Sequence, residues 1–215
     1  TNSTAPRPIP LMSTLGHMAF TLHHISVSEM DNNCYLICAG DKGLLIDAAA
    51  DPQALLGLAR DAGVQITDVL TTHRHHDHTR ALVEVLEATG AQHWAPFLDA
   101  PALPAPVDHE LRDDDVLEFA GHRFPVCILR GHTPGGAALA VDIDGVPNLF
   151  VGDSLFPGGL GKTASEGDFV RLYKEVKDKL FAVYPDEAIV WPGHGKPTTL
   201  GAERPHLDEW WQRRW

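Results

Sequence analysis

The chain has 215 residues, enough for one domain with a short appendage. Its 29 acidic against 17 basic residues give a formal charge of −12, which argues against a nucleic-acid surface, where a basic stripe is needed, and against attraction to an anionic membrane. Hydrophobic content of 44% with 21% charged residues fits a soluble globular protein, and no run is long or apolar enough to span a bilayer. Three cysteines without framework spacing suit a reducing compartment, so a cytoplasmic protein is expected.

Residues 1–10 are polar and proline-rich, without the charged start and apolar core of a signal peptide. Gly16-His17-Met18 resembles a cloning scar, so residues 1–18 are expected to be a tag or a flexible tail, with the native start near Met18. The catalytic domain is expected over 19–202 and a short C-terminal extension over 203–215.

Alternation around Phe20–Leu22 and 25–27, followed by the apolar stretches 34–38 and 44–46, predicts strands, with Cys34 and Cys38 on one face as small buried hydrophobes. Asp47 ends the third strand, where it either caps a turn or hydrogen-bonds a ligand histidine and fixes its tautomer. Residues 52–62 read as a helix with proline in its first turn and Gly63 past its end.

An apolar run through Ile66, Val69 and Leu70 then delivers His73, His75, His76, Asp77 and His78 within six positions, before a helix that starts at about Thr79 and stops at Gly90. In an extended segment His73 and His75 point the same way, and the turn into the helix brings Asp77 and His78 back to the same spot. Imidazole nitrogens and a carboxylate concentrated like this suit a zinc-like or iron-like ion.

Next come a short strand at 92–95, a proline-broken connection at 96–106 and a hairpin formed by 116–119 and 124–129. His93, His109 and His122 fall in these connectors and are expected at the surface. His132 sits in a rigid turn of glycines and a proline, Asp153 follows the apolar stretch 149–151, and His194 follows 189–191. Polar side chains at the ends of four successive β elements make a site along one edge of a sheet scaffold. Asp168 is expected to cap a helix whose Phe169, Leu172, Tyr173, Val176 and Leu180 form its core face, and residues 203–215 to form a short helix docking its tryptophans on the domain.

His73-x-His75-x-Asp77-His78, then His132, Asp153 and His194 in that order, with Asp47 as a first motif, resemble the metallo-β-lactamase superfamily from about residue 20 to 200. The resemblance implies an αββα sandwich, an α/β fold of two mixed sheets between helices. It also implies two divalent transition-metal ions per chain, zinc first, though N/O ligands suit iron or manganese as well. By position His73, His75 and His132 would bind one ion, Asp77, His78 and His194 the second, and Asp153 would bridge them. Two such ions share a water of lowered pKa as nucleophile, with Asp77 placed to hold its proton.

The β-lactamases of this fold usually carry Cys or Ser where Asp153 stands. The run 153–162, from Asp153 to Lys162 through Gly158, Gly159 and Gly161, looks instead like glyoxalase II, in which the lysine matching Lys162 meets a substrate carboxylate. Residues 192–195 and 201–204 look like the short bacterial relatives that lack its helical C-terminal domain, and Thr163-Ala164-Ser165 replace its aromatic positions after the lysine. The expected activity is hydrolysis of a small-molecule thioester, with the carrier thiol left open and neither nucleic acid nor membrane as partner. The alternatives are a mononuclear iron persulfide dioxygenase using His73, His132 and Asp153, a lactonase or other metallo-hydrolase, and a non-catalytic domain that uses metal only to fold.

Overall fold

A computed structural model describes residues 19–215; the expected tag or tail at 1–18 lies outside the described residues. The first half of the chain builds a six-stranded mixed sheet from β1 (Thr21–Val27), β2 (Asn32–Ala39), β3 (Lys42–Ile46), β4 (Gln65–Leu70), β5 (Gln92–Pro96) and β6 (His109–Leu111), in that order. β1, β2 and β3 pair antiparallel, and β3 to β6 pair parallel. The parallel crossovers carry α1 (Pro52–Asp61) and α2 (Leu82–Thr89).

The second half repeats the scheme. β7 (Val116–Phe119), β8 (His122–Leu129), β9 (Gly136–Ile143) and β10 (Val146–Gly152) form an antiparallel meander. A two-residue-strand hairpin, β11 (Leu155–Phe156) and β12 (Gly159–Leu160), leads to α3 (Glu166–Val176), whose last turn widens into a π turn at Lys177–Phe181. β13 (Ile189–Pro192) joins parallel to β10, and β14 (Thr198–Thr199) completes the order β14-β13-β10-β9-β8-β7. The described chain ends in α4 (Leu200–Glu203) and α5 (Leu207–Arg213).

The expected αββα layering follows from where alternate side chains go. In β2 every residue is buried, because both faces of the strand are covered. Tyr35 and Ile37 meet Phe124, Ile128, Leu139 and Phe150 between the sheets. Cys34, Leu36 and Cys38 face outward against Leu55 of α1 and Leu82 and Val85 of α2. On the far side Leu149, Val151 and Val190 pack against Phe169, Leu172 and Val176 of α3 and Trp210 of α5. Among the described residues, no helix is long and apolar enough to cross a membrane.

Several local expectations are corrected. Ser165, not Asp168, caps α3: its hydroxyl accepts the Asp168 N–H at 3.1 Å, which puts Asp168 inside the first turn. α2 starts at Leu82, later than Thr79, because residues 76–78 first make a tight 3-10 turn. His93 is fully buried, not superficial. Its Nδ1 lies 2.8 Å from the Pro106 carbonyl and its Nε2 2.8 Å from Thr71 Oγ1, so both ring nitrogens are satisfied without water.

The three C-terminal tryptophans divide by burial. Trp210 is 1% exposed inside the α3 layer, whereas Trp215 is 70% exposed. Trp210→Ala should therefore cost about 3–5 kcal/mol of stability and Trp215→Ala less than about 0.5 kcal/mol, read from urea unfolding midpoints.

Candidate metal centre

Five strand ends deliver the site. Asp47 directly follows β3, His73 to His78 follow β4, and His132 follows β8. Asp153 follows β10, and His194 follows β13. Parallel pairing of β3 with β4 and of β10 with β13 aligns carboxyl ends within each sheet, so distant residues arrive at one edge.

Three groups of candidate ligands result: His73, His75, His132 and Asp153; Asp77, His78, Asp153 and His194; and, behind them, Asp47, His73 and His78. Asp153 belongs to the first two. Its Oδ2 lies 3.6 Å from His73 Nε2 and 3.5 Å from His132 Nε2, and 3.3 and 3.2 Å from Nε2 of His78 and His194. Around the second group, Asp77 Oδ2 lies 3.3 Å from His78 Nε2 and 3.2 Å from His194 Nε2, and the two imidazole nitrogens are 3.1 Å apart. A tetrahedral ion with bonds of 2.0–2.1 Å has ligand–ligand edges of about 3.3–3.4 Å. The residues present fit such an ion. In addition, His73 Nε2, His132 Nε2 and Asp153 Oδ1 are buried without any hydrogen-bond partner, an arrangement that costs free energy unless something electropositive sits among them.

The far sides of four of the five imidazoles explain why Nε2 points inward. His132 Nδ1 lies 2.7 Å from the Lys162 carbonyl and His194 Nδ1 2.9 Å from the Met30 carbonyl. His78 Nδ1 lies 2.9 Å from Asp47 Oδ2. Carbonyl and carboxylate oxygens only accept, so Nδ1 carries a proton in each case. Thr72 donates its hydroxyl to Asp47 Oδ2, so its oxygen accepts from His73 Nδ1 at 2.9 Å. Asp47 also accepts the Thr72 backbone N–H on Oδ1. Of the two roles open to Asp47, the structure shows the hydrogen bond to histidine, and through Thr72 it reaches a second one.

Two asparagines that the sequence reading passed over brace the other side. Asn32 donates to Asp77 Oδ2 at 3.0 Å, and Asn33 donates to the carbonyls of Pro192 and Gly195 on either side of His194. An adjacent pair of amides at the start of an otherwise apolar strand was the available signal.

Electrostatics follow from the crowding. Burial pushes the His73 and His75 pKa values down. Burial also disfavours charge on His78, but Asp153 and Asp47 outweigh it and lift the group to about 10. Burial would raise Asp153, yet the surrounding histidines hold it far below the usual carboxylate range. Asp77 is likewise lowered, since the Asn32 hydrogen bond and the His78 charge outweigh its burial. The shifts thus divide: burial disfavours charge on His73 and His75, while the buried carboxylates favour it on His78.

Glycines let the backbone come this close. A Cβ on Gly193 would lie 2.1 Å from Asp153 Oδ1 and 2.7 Å from His78 Cε1, and one on Gly161 would lie 1.6 Å from the Asp153 carbonyl. His76, by contrast, is exposed, and Lys162 is exposed just past β12.

A family model described as the metallo-beta-lactamase superfamily matches residues 27–194. The chain is 37% identical over 173 residues to a hydroxyacylglutathione hydrolase of Polaromonas sp., covering 74% of this chain and 60% of that protein. It is 29% identical over 201 residues to hydroxyacylglutathione hydrolase GloC of Haemophilus influenzae, covering 84% and 93%. Among solved structures it is similar to TTHA1623 in a di-iron-bound form (TM-score 0.70, 30% identity, 85% and 96% covered) and to ETHE1 from Myxococcus xanthus (TM-score 0.72, 25% identity, 87% and 83% covered). The chain thus spans about 60% of the length of the Polaromonas relative. With more than half of its residues matched by the family model and the donor cluster at the expected strand ends, the chain belongs to the metallo-β-lactamase superfamily.

Proposed function

We propose that the chain is a dinuclear metal-dependent thioesterase of the glyoxalase II type, cleaving the acyl thioester of a small thiol carrier. The observation that carries this reading is the sharing of Asp153 Oδ2 between two donor groups whose spacings suit metal ligands. The relatives named hydroxyacylglutathione hydrolase and the similarity to a protein solved with two irons support it.

In this reading His73, His75 and His132 would hold one ion and Asp77, His78 and His194 the other, with Asp153 shared between the two groups. Two divalent cations, zinc first and iron or manganese as alternatives, supply an acidified water and an electrophile for the thioester carbonyl. The chain's residues do the rest. Asp77, held as a carboxylate and oriented by Asn32, would accept a hydrogen bond from the hydroxide and so hold its proton. Thr72 and Asp47 lock His73 and His78 so that Nε2 faces inward, and the Met30 carbonyl does the same for His194. His132, His194 and Asp77 keep 13%, 22% and 16% of their side-chain surface, which leaves the outer rim open to a substrate. Lys162, whose carbonyl steadies His132, offers its exposed ammonium to a substrate anion.

Four outcomes test the reading. Elemental analysis of metal-replete protein should give two ions per chain and a panel of acyl thioesters should be hydrolysed; one iron per chain with oxygen consumption would favour the persulfide dioxygenase instead. Asp153→Ala and Gly193→Ala should each lose bound metal, the first through the missing bridge and the second through the clash with Asp153 and His78, while far-ultraviolet circular dichroism stays unchanged. His75→Ala should remove turnover and His76→Ala should leave it within about twofold, a contrast that checks the ligand register. Lys162→Ala should raise KM about tenfold for anionic thioesters and leave neutral ones unaffected.

A further inference from the structure

Beside the metal centre lies a cavity of about 330 Å³ that shares His75 and His132 with it. Its other walls carry Arg74, Arg130 and Arg171, with Thr133 and the single acidic residue Asp168. Three arginines lining one small cavity are unexpected in a chain of net charge −12. Chance would scatter them, and mutual repulsion would separate them unless the fold held them there.

The fold does hold them, Arg130 and Arg74 by their backbones and Arg171 by its side chain. Glu175 Oε2 accepts the Arg130 N–H at 2.7 Å, and its Oε1 lies 3.6 Å from Arg171 Nε. Asp99, fully buried, accepts the Arg74 N–H at 3.0 Å and the Gly135 N–H at 3.1 Å. Glu175 also faces Lys179 at 3.6 Å, so its charge is divided between two cations. Not every polar atom of these lining residues is satisfied in the same way. Arg130 Nε and Thr133 Oγ1 are both buried without a hydrogen-bond partner. A buried donor of a charged group left unpaired is costly, which leaves the Arg130 side chain short of an acceptor beside this cavity.

We propose that this cavity is an anion subsite that recognises a carboxylate on the substrate and seats the adjoining scissile group against the metal centre. Guanidinium pairs suit a planar carboxylate because they bind it through parallel N–H···O bonds. The shared His75 and His132 wall sets the reach: the carboxylate is a few bonds from the reacting carbonyl. The proposal rests on the thioesterase reading for the nature of the reacting group, but the anion site itself does not. The carboxylate can belong to the acyl part or to the carrier thiol, and the two sources are separable.

The test has a binding arm and a kinetic arm. In the binding arm, metal-loaded protein is titrated calorimetrically with succinate and with succinamide, its neutral counterpart. Wild type should bind succinate, and R130Q/R171Q should bind it about tenfold or more weakly at equal metal content and equal thermal midpoint. Arg171 is exposed on its helix, so R171Q alone guards against a disturbed His132 turn and should still weaken binding. Equal succinate affinity in all three proteins would overturn the subsite. In the kinetic arm, matched thioesters carry the carboxylate on the acyl group, on the carrier or on neither. R130Q/R171Q should raise KM about tenfold for one of the anionic substrates and leave the neutral one unchanged, which identifies the source. Turnover of all three with unchanged KM values would remove the subsite and leave the thioesterase reading intact. No turnover of any, with the succinate contrast preserved, would remove the thioesterase reading and leave the subsite.

Discussion

Everything at the centre depends on one carboxylate held where water is scarce. Asp153 is nearly buried, yet Nε2 atoms of four histidines approach its Oδ2 from different directions. Burying a carboxylate is costly unless positive charge compensates it, and neutral imidazoles facing it with lone pairs do not. The cluster therefore calls for positive charge beside this carboxylate, and the surrounding protein is arranged to keep Nε2 of its imidazoles inward. Asp47 is the clearest example: through His78 directly and His73 via Thr72, one residue sets the proton positions of two imidazoles.

The two-sheet architecture makes this affordable in conformational terms. Each donor follows a strand whose register is pinned by a fully buried face, so the loops that carry the donors start from rigid points. Glycines at 161 and 193 then remove the side chains that would otherwise keep the strand ends apart. Precision at the centre comes from sheet register, and closeness comes from missing Cβ atoms.

Much of this was legible in the sequence because the donors are local. His73 to His78 lie in one stretch, and His132, Asp153 and His194 each sit beside turn-forming residues after an apolar run, so both chemistry and position were visible. The layering was legible through the family resemblance, since the order of strands and helices alone does not give it. What escaped was non-local or one turn out of register. Asn32 touches Asp77 across 45 positions. His93 is polar by type but finds partners at Thr71 and Pro106, which no periodicity indicates. The arginine cavity draws on three separate elements, and each arginine taken singly reads as solvated surface. At α3 the capping rule was right but the residue was wrong, because Ser165 and Asp168 are both good caps and only the turn geometry chooses between them.

The C-terminal helices have a consequence for the order in which the molecule is built. Glu203 accepts the Gly158 N–H at 2.7 Å, and Arg213 donates to the Gly158 carbonyl at 2.6 Å, so the β11–β12 hairpin beside Asp153 is tied down from far along the chain. His194 itself arrives late as well. A chain emerging from the ribosome can finish its first sheet early, but it presents the histidine loop with only part of its donor set until residue 194 has cleared and residues 203 and 213 have docked. The candidate donor set is thus complete only once the second sheet is complete, and not when the segment that bears three of its five histidines has folded.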